Sequence, residues 1–203
     1  MKGLFKNCWT IPNLLSFIRI LIVPVFAYFY IKGELLLAII MLAISGLSDL
    51  FDGKIARRFN QVSELGKLLD PVADKLTQIT LAVLLYMSFA QAQDEMLKAF
   101  SWVFLVFIGK EAFMVVFSVF MLILNLRPCA AEIFGKLSTF AFYFIMIVIV
   151  AFGPEIGWLK DVFQLPPVLM MILVVVSAIL TIVALVSYVP DTLRQFKEKF
   201  GKK

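Results

Sequence analysis

Residues 48–76 read SDLFDGKIARRFNQVSELGKLLDPVADKL. Four aspartates, Asp49, Asp52, Asp70 and Asp74, lie in this run between two long apolar segments. The first pair is spaced i,i+3 and the second i,i+4, so on helices each pair shares one face. The spacing predicts that Asp49 to Arg57 closes one helix and that Asp70 onward opens the next. The polar link Asn60-Gln61-Val62-Ser63-Glu64-Leu65-Gly66 supplies the turn between them. Two antiparallel helices would then gather four carboxylates at a membrane surface.

Bare carboxylates packed together repel one another and lose hydration. A hard divalent cation, or two, relieves both problems. An all-oxygen ligand set suits Mg²⁺ or Mn²⁺, with phosphate oxygens and water completing the shell. Gly53 and Ala56 share the face of Asp49 and Asp52 and leave room for a planar ligand. Arg57, one turn beyond Gly53, is able to fork onto a phosphate. Read from its residues, the stretch is a site for metal and a diphosphate.

Composition sets the surroundings of this site. The 203 residues are 62% hydrophobic, with a mean hydropathy of +0.98. A soluble domain is about half apolar, so the chain is expected to be an all-α integral membrane protein. Six spans of about 20 residues fit the thickness of a bilayer. They are Ile11 to Ile31, Glu34 to Ile55, Leu69 to Ala90, Ala99 to Leu126, Glu132 to Phe152 and Pro166 to Val189. Pro24 is expected to kink the first span. Pro71 is placed in the first turn of the third, where its missing N–H is harmless, and Pro190 ends the sixth.

No long polar linker interrupts the chain, so residues 1–203 read as a single domain. Residues 1–10 carry Leu4, Phe5, Cys8 and Trp9 at helical spacing and read as a short interfacial helix. Residues 190–203 form a basic tail. There Leu193, Phe196 and Phe200 share a face ringed by Arg194, Lys197 and Lys199, a pattern for a helix lying on anionic lipid.

Lys and Arg fix the expected orientation. One side collects the N-terminus, the Lys54–Lys67 and Arg127–Lys136 loops, and the tail. The other holds only Lys32, Lys98 and Lys160. The basic side is expected to be cytoplasmic, with both termini and the aspartates on it. The net charge of +5 then belongs to anionic lipid headgroups rather than to nucleic acid, for which no motif exists. The chain has no histidine, so proton transfer near neutral pH falls to a carboxylate or a lysine. Cys8 and Cys129 lie on the reducing side, where a disulfide is not expected.

Ionisable groups within spans are expensive and face a cavity or a partner. Arg19, Lys110 and Glu111 are such groups, and Lys136 opens the fifth span. Arg19 either snorkels to the interface or touches phosphate. Neighbours in sequence do not face each other on a helix, so Lys110 and Glu111 are expected to find separate partners in a polar cavity.

The spacing Asp49-x2-Asp52-Gly53-x2-Ala56-Arg57-x8-Gly66-x3-Asp70-x3-Asp74 fills eight specified positions. It resembles the signature of the CDP-alcohol phosphatidyltransferase family at all eight. The resemblance implies transfer of a phosphatidyl group from CDP-diacylglycerol to an alcohol, with release of CMP. It implies that Asp49, Asp52, Asp70 and Asp74 hold a two-metal site of Mg²⁺ or Mn²⁺, with Asp74 also the general base. Gly53, Ala56 and Arg57 would cradle the CDP moiety, and Gly66 would let the loop approach it. Such relatives are typically homodimers.

Ile11-Pro12-Asn13-Leu14-Leu15-Ser16 and Asp70-Pro71-Val72-Ala73-Asp74-Lys75 look most like phosphatidylglycerolphosphate synthases. Glycerol 3-phosphate is therefore the first expected acceptor, its phosphate met by Lys110, Lys136, Arg19 and Arg127. Lys110-Glu111 stands where those synthases often carry Arg-Glu, a departure that exchanges a fork for a point charge. Phosphatidylglycerol, giving cardiolipin, is the second. A cation transporter is the reading from a different class, but transporters place coupling charges near the midplane within repeats, and neither feature is seen here.

Overall fold

The computed structural model describes residues 10–58, 64–124, 126 and 133–200. Residues 1–9 of the expected interfacial helix, Cys8 among them, and Cys129 and Arg127 lie outside the described residues. Among the described residues eight helices follow in order: α1 Ile11–Ile31, α2 Leu35–Arg58, α3 Glu64–Ala90, α4 Glu95–Phe100, α5 Val103–Ile123, α6 Ile133–Phe152, α7 Pro167–Ser187 and α8 Val189–Phe200. Among the described residues there is no strand. By length and composition α1, α3, α5, α6 and α7 are able to cross a membrane, and α2 adds a shorter apolar stretch, Leu35–Ser48. Five of the six expected spans are thus long and apolar enough to cross, the second has the shorter apolar stretch, and together they form an all-α bundle.

Local chemistry explains the helix ends. The Thr10 side chain caps α1 by accepting from the Asn13 N–H at 3.4 Å, which satisfies one orphan donor of the first turn. At the other end Gly33 adopts φ 77°, and the Gly33 and Glu34 N–H groups return to the Tyr30 and Phe29 carbonyls, both at 3.0 Å. This is the left-handed glycine stop of a helix. Pro24 lies inside α1, which runs through it unbroken.

Three boundaries differ from those expected. α3 begins at Glu64, so Glu64, Leu65 and Gly66 are helix rather than link, and Pro71 lies two turns inside. So close to the helix start, the proline removes a single ladder bond, to the carbonyl at Lys67. The fourth span starts earlier than Ala99. Asp94 caps α4 by accepting from the Met96 and Leu97 N–H groups at 2.7 and 3.4 Å, and the chain breaks at Ser101–Trp102 before α5. Finally, α7 stops at Ser187 with Tyr188 as its C-cap. Pro190 instead sits in the first turn of α8, where proline is tolerated.

Helix α1 packs against α2 and α3, α3 against α5, α5 and α6 against α7, and α2 against α6. The interior divides by depth. Large apolar groups (Phe26, Leu42, Leu85, Phe89, Phe104, Phe107, Ile149 and Met170 among them) fill the half remote from the aspartates, while Met121 and Leu126 are buried at the aspartate end. Phe89 meets Phe104 edge-on with centroids 4.9 Å apart, and Phe107 lies 5.1 Å from Phe142, separations typical of favourable aromatic pairs. The buried polar residues Asn13, Ser16, Arg19, Ser45, Thr77, Gln78, Glu111, Ser138, Ser177 and Thr181 lie toward the aspartate end. Ser101, at the α4–α5 break, is the exception.

The remote end is tied shut. Glu155, at φ 62°, accepts from the Gln93 and Asp94 N–H groups at 2.8 and 3.1 Å. It thereby joins the α6–α7 connection to the start of α4. In the same connection a Cβ on Gly157 would lie 2.6 Å from both the backbone N and O of Gly153. Backbone cannot retreat as a side chain does. Gly157→Ala is therefore expected to destabilise the protein by about 1–3 kcal/mol, the range for overpacking. Thermal unfolding in detergent would show this as a lowered midpoint, with Gly46→Ala, where a Cβ meets nothing within 4 Å, as the comparison.

Candidate active site at the acidic helix pair

α2 runs on through Asp49, Asp52, Gly53, Ala56 and Arg57 to Arg58, and α3 carries Gly66, Asp70 and Asp74. Only residues 59–63 separate the two helices. Counting inward from that connection, Asp52 stands six residues before Arg58 and Asp70 six after Glu64. Asp49 stands nine before and Asp74 ten after. At about 1.5 Å rise per residue, Asp52 and Asp70 stand near 9 Å, and Asp49 and Asp74 near 14 Å, along their own helices from the ends that flank this connection.

Ala38, Leu42 and Ser45 form the buried face of α2, and the same three- and four-residue steps continue to positions 49, 52 and 56. On α3 the buried positions Ala73, Thr77, Leu81 and Leu84 step back to 70. The side chains of Asp49, Asp52, Gly53, Ala56, Arg57, Gly66 and Asp70 lie outside those described. Among the described residues no group of three His, Cys, Asp or Glu side chains occurs.

Asp74 is the aspartate of the four whose side chain is described. Gln78 Nε2, one turn on, donates to its Oδ2 at 2.8 Å. Tyr143 Oη, from α6, donates to its Oδ1 at 3.2 Å. Both carboxylate oxygens are thus held, one from its own helix and one across the bundle. Sequence reasoning missed Tyr143. In the aromatic run Phe140-Ala141-Phe142-Tyr143-Phe144 it is the residue that carries a hydroxyl, and that was the available signal.

Glu111 on α5 is 3% exposed and sits between two cations. Lys75 of α3 and Lys110 beside it both pair with its carboxylate. The expectation that Lys110 and Glu111 take separate partners is therefore corrected. Spacing rules place Cβ atoms, and a four-carbon lysine stem reaches back past that limit. The cross-helix partner, Lys75, follows Asp74 directly, so the ion cluster adjoins the acidic pair.

Arg19 is 1% exposed, which excludes snorkelling to the surface. With Asn13 and Ser16 it makes a buried polar stripe at three-residue steps on the face of α1 that packs on α2 and α3. Asn13 and Ser16 were not singled out from the sequence, although that step was visible. Lys136 is exposed in the first turn of α6. Two residues on, buried Ser138 lies 3.2 Å from Thr181 of α7, hydroxyl to hydroxyl.

An oxygen-only donor set without His or Cys matches hard divalent cations. Asp74, with its two oxygens already oriented, is suited to hold one.

A family model described as CDP-alcohol phosphatidyltransferase matches residues 9–189. The chain belongs to this family and is a membrane-embedded phosphatidyltransferase. It is 35% identical over 159 residues to a cardiolipin synthase (CMP-forming) of Streptomyces coelicolor, covering 75% of this chain and 69% of that one. It is 30% identical over 194 residues to a CDP-diacylglycerol–glycerol-3-phosphate 3-phosphatidyltransferase of Aquifex aeolicus, covering 94% and 98%. A human cardiolipin synthase (CMP-forming) is 47% identical over 91 residues, 44% of this chain and 29% of that one. A cation transporter finds no support in these matches.

Proposed function

We propose that the protein transfers the phosphatidyl group of CDP-diacylglycerol to the free hydroxyl of a glycerol phosphoryl group, releasing CMP. The observation that carries this reading is the division of the interior. Most buried polar side chains lie in the acidic half of the bundle, and most large buried apolar ones lie in the other. A donor with acyl chains in lipid and a nucleotide in water needs a polar cavity at one membrane face. The distribution of Lys and Arg supports placing that face, and both termini, in the cytoplasm. The amphipathic α8, with Val189 and Leu193 exposed, then lies along the inner leaflet.

In this reading Asp49, Asp52, Asp70 and Asp74 hold two Mg²⁺ or Mn²⁺ ions. Such ions would neutralise the diphosphate and the charge that develops on it. Asp74 takes the proton of the acceptor hydroxyl. The freed oxygen forms a bond to the lipid-side phosphorus, the bond from that phosphorus to the bridging oxygen breaks, and its electron pair leaves with CMP. Gly53, Ala56, Arg57 and Gly66 seat the cytidine diphosphate. Arg19, buried beside this pair of helices, adds positive potential, and the enzyme works as a homodimer.

Glycerol 3-phosphate is the first acceptor, because the relative matched along nearly its whole length is named for it. Phosphatidylglycerol is the second reading, and a specific observation favours it. Lys110 is engaged by Glu111, and a phosphodiester carries less charge than a phosphomonoester and so needs fewer cations. Purified protein with CDP-diacylglycerol and Mn²⁺ is expected to release CMP with glycerol 3-phosphate and at least tenfold less with phosphatidylglycerol. The opposite ratio would select cardiolipin synthesis, and no CMP with any alcohol would overturn the proposal.

A further inference from the structure

We propose that Tyr143 is a positioning residue for the catalytic carboxylate, an inference that rests on the role given to Asp74 above. A carboxylate one bond from its Cβ rotates readily, and a rotated Asp74 would aim neither at a cation nor at an acceptor hydroxyl. Gln78 alone, from the same helix, holds one oxygen. The hydroxyl of Tyr143 holds the other from α6. Bonds from two helices to the two oxygens fix the plane of the group.

The surroundings match a built support. Gln78 is 3% exposed and Thr77 beside it is tied to its own helix through the Ala73 carbonyl at 2.9 Å. On α6, Phe142 is buried against Phe107 of α5, and Ile145 and Met146 are buried below it. The Tyr143 ring therefore stands on a packed segment rather than on a loop. Groups that orient a metal-binding side chain typically change affinity or rate by about 10–100-fold when removed.

A half-buried tyrosine also takes an acceptor for its own sake, so the test must separate orientation from packing. Saturable Mn²⁺ binding to the purified protein, followed by electron paramagnetic resonance without substrate, makes that separation. Tyr143→Phe keeps the ring and removes the donor. Its Mn²⁺ affinity is expected to fall about tenfold, with kcat for CMP release lowered similarly and KM for CDP-diacylglycerol within about twofold. In an Asp74→Asn background the same substitution is expected to add nothing, because its route is through Asp74. Phe142→Leu, which loosens α6 without touching the hydrogen bond, is expected to leave Mn²⁺ affinity unchanged.

Equal Mn²⁺ binding by wild type and Tyr143→Phe would overturn the proposal. So would a persistent effect in the Asp74→Asn background, an equal loss in Phe142→Leu, or no saturable Mn²⁺ site in the wild type. The expected Mn²⁺ pattern without CMP release by the wild type would support the role of Tyr143 and sink the enzymatic reading instead.

Discussion

Asp74→Asn is expected to lower kcat for CMP release by about 10³-fold or more, within the range for loss of a general base plus a metal-bound charge. The substitution keeps the shape of the side chain and keeps an amide oxygen to accept from Gln78 or Tyr143. What it removes is the negative charge and the site for the acceptor's proton. Stability is expected to hold or rise, since one fewer carboxylate remains in an acidic cluster. Turnover measured at saturating Mn²⁺, beside thermal unfolding of the same preparation, separates the two effects. Retention of more than a third of wild-type kcat would remove Asp74 from the role of base.

The largest expected effect on stability comes from Glu111→Gln. Glu111 is the shared counter-ion of Lys75 and Lys110, and the Lys110 and Glu111 side chains are 10% and 5% exposed. Removing the carboxylate that both lysines share costs about 3–5 kcal/mol, the range for breaking a buried ion pair. Lys75→Met is expected to be milder, because Lys110 still neutralises the carboxylate. Unfolding midpoints of the two variants in the same detergent give the comparison. A Glu111→Gln penalty no greater than that of Lys75→Met would mean that the lysines find other acceptors.

The bundle was legible in the sequence because membrane spans declare themselves by length and apolarity. The two helices that carry the aspartates were legible because the spacing is helical on both sides of a short link. What failed was local. Glu64, Leu65 and Gly66 read as turn by composition, yet they are helix, and an acidic residue suits a helix start. The α4–α5 break falls at Ser101–Trp102, where neither Gly nor Pro marks it. Partners across the bundle were out of reach as well. Nothing near Glu111 in the chain points to Lys75, and nothing near Asp74 points to Tyr143, because pairing between α3, α5 and α6 is set by packing angles that no single helix encodes.

Tyr143 lies 69 residues beyond Asp74, and ribosomes build chains in one direction. A growing polypeptide therefore exposes its complete acidic ladder while α6 is still unmade. Until that later helix enters the bilayer, Gln78 is the described side chain bonded to the Asp74 carboxylate. The two-helix support of the Asp74 carboxylate is therefore completed only in the second half of synthesis.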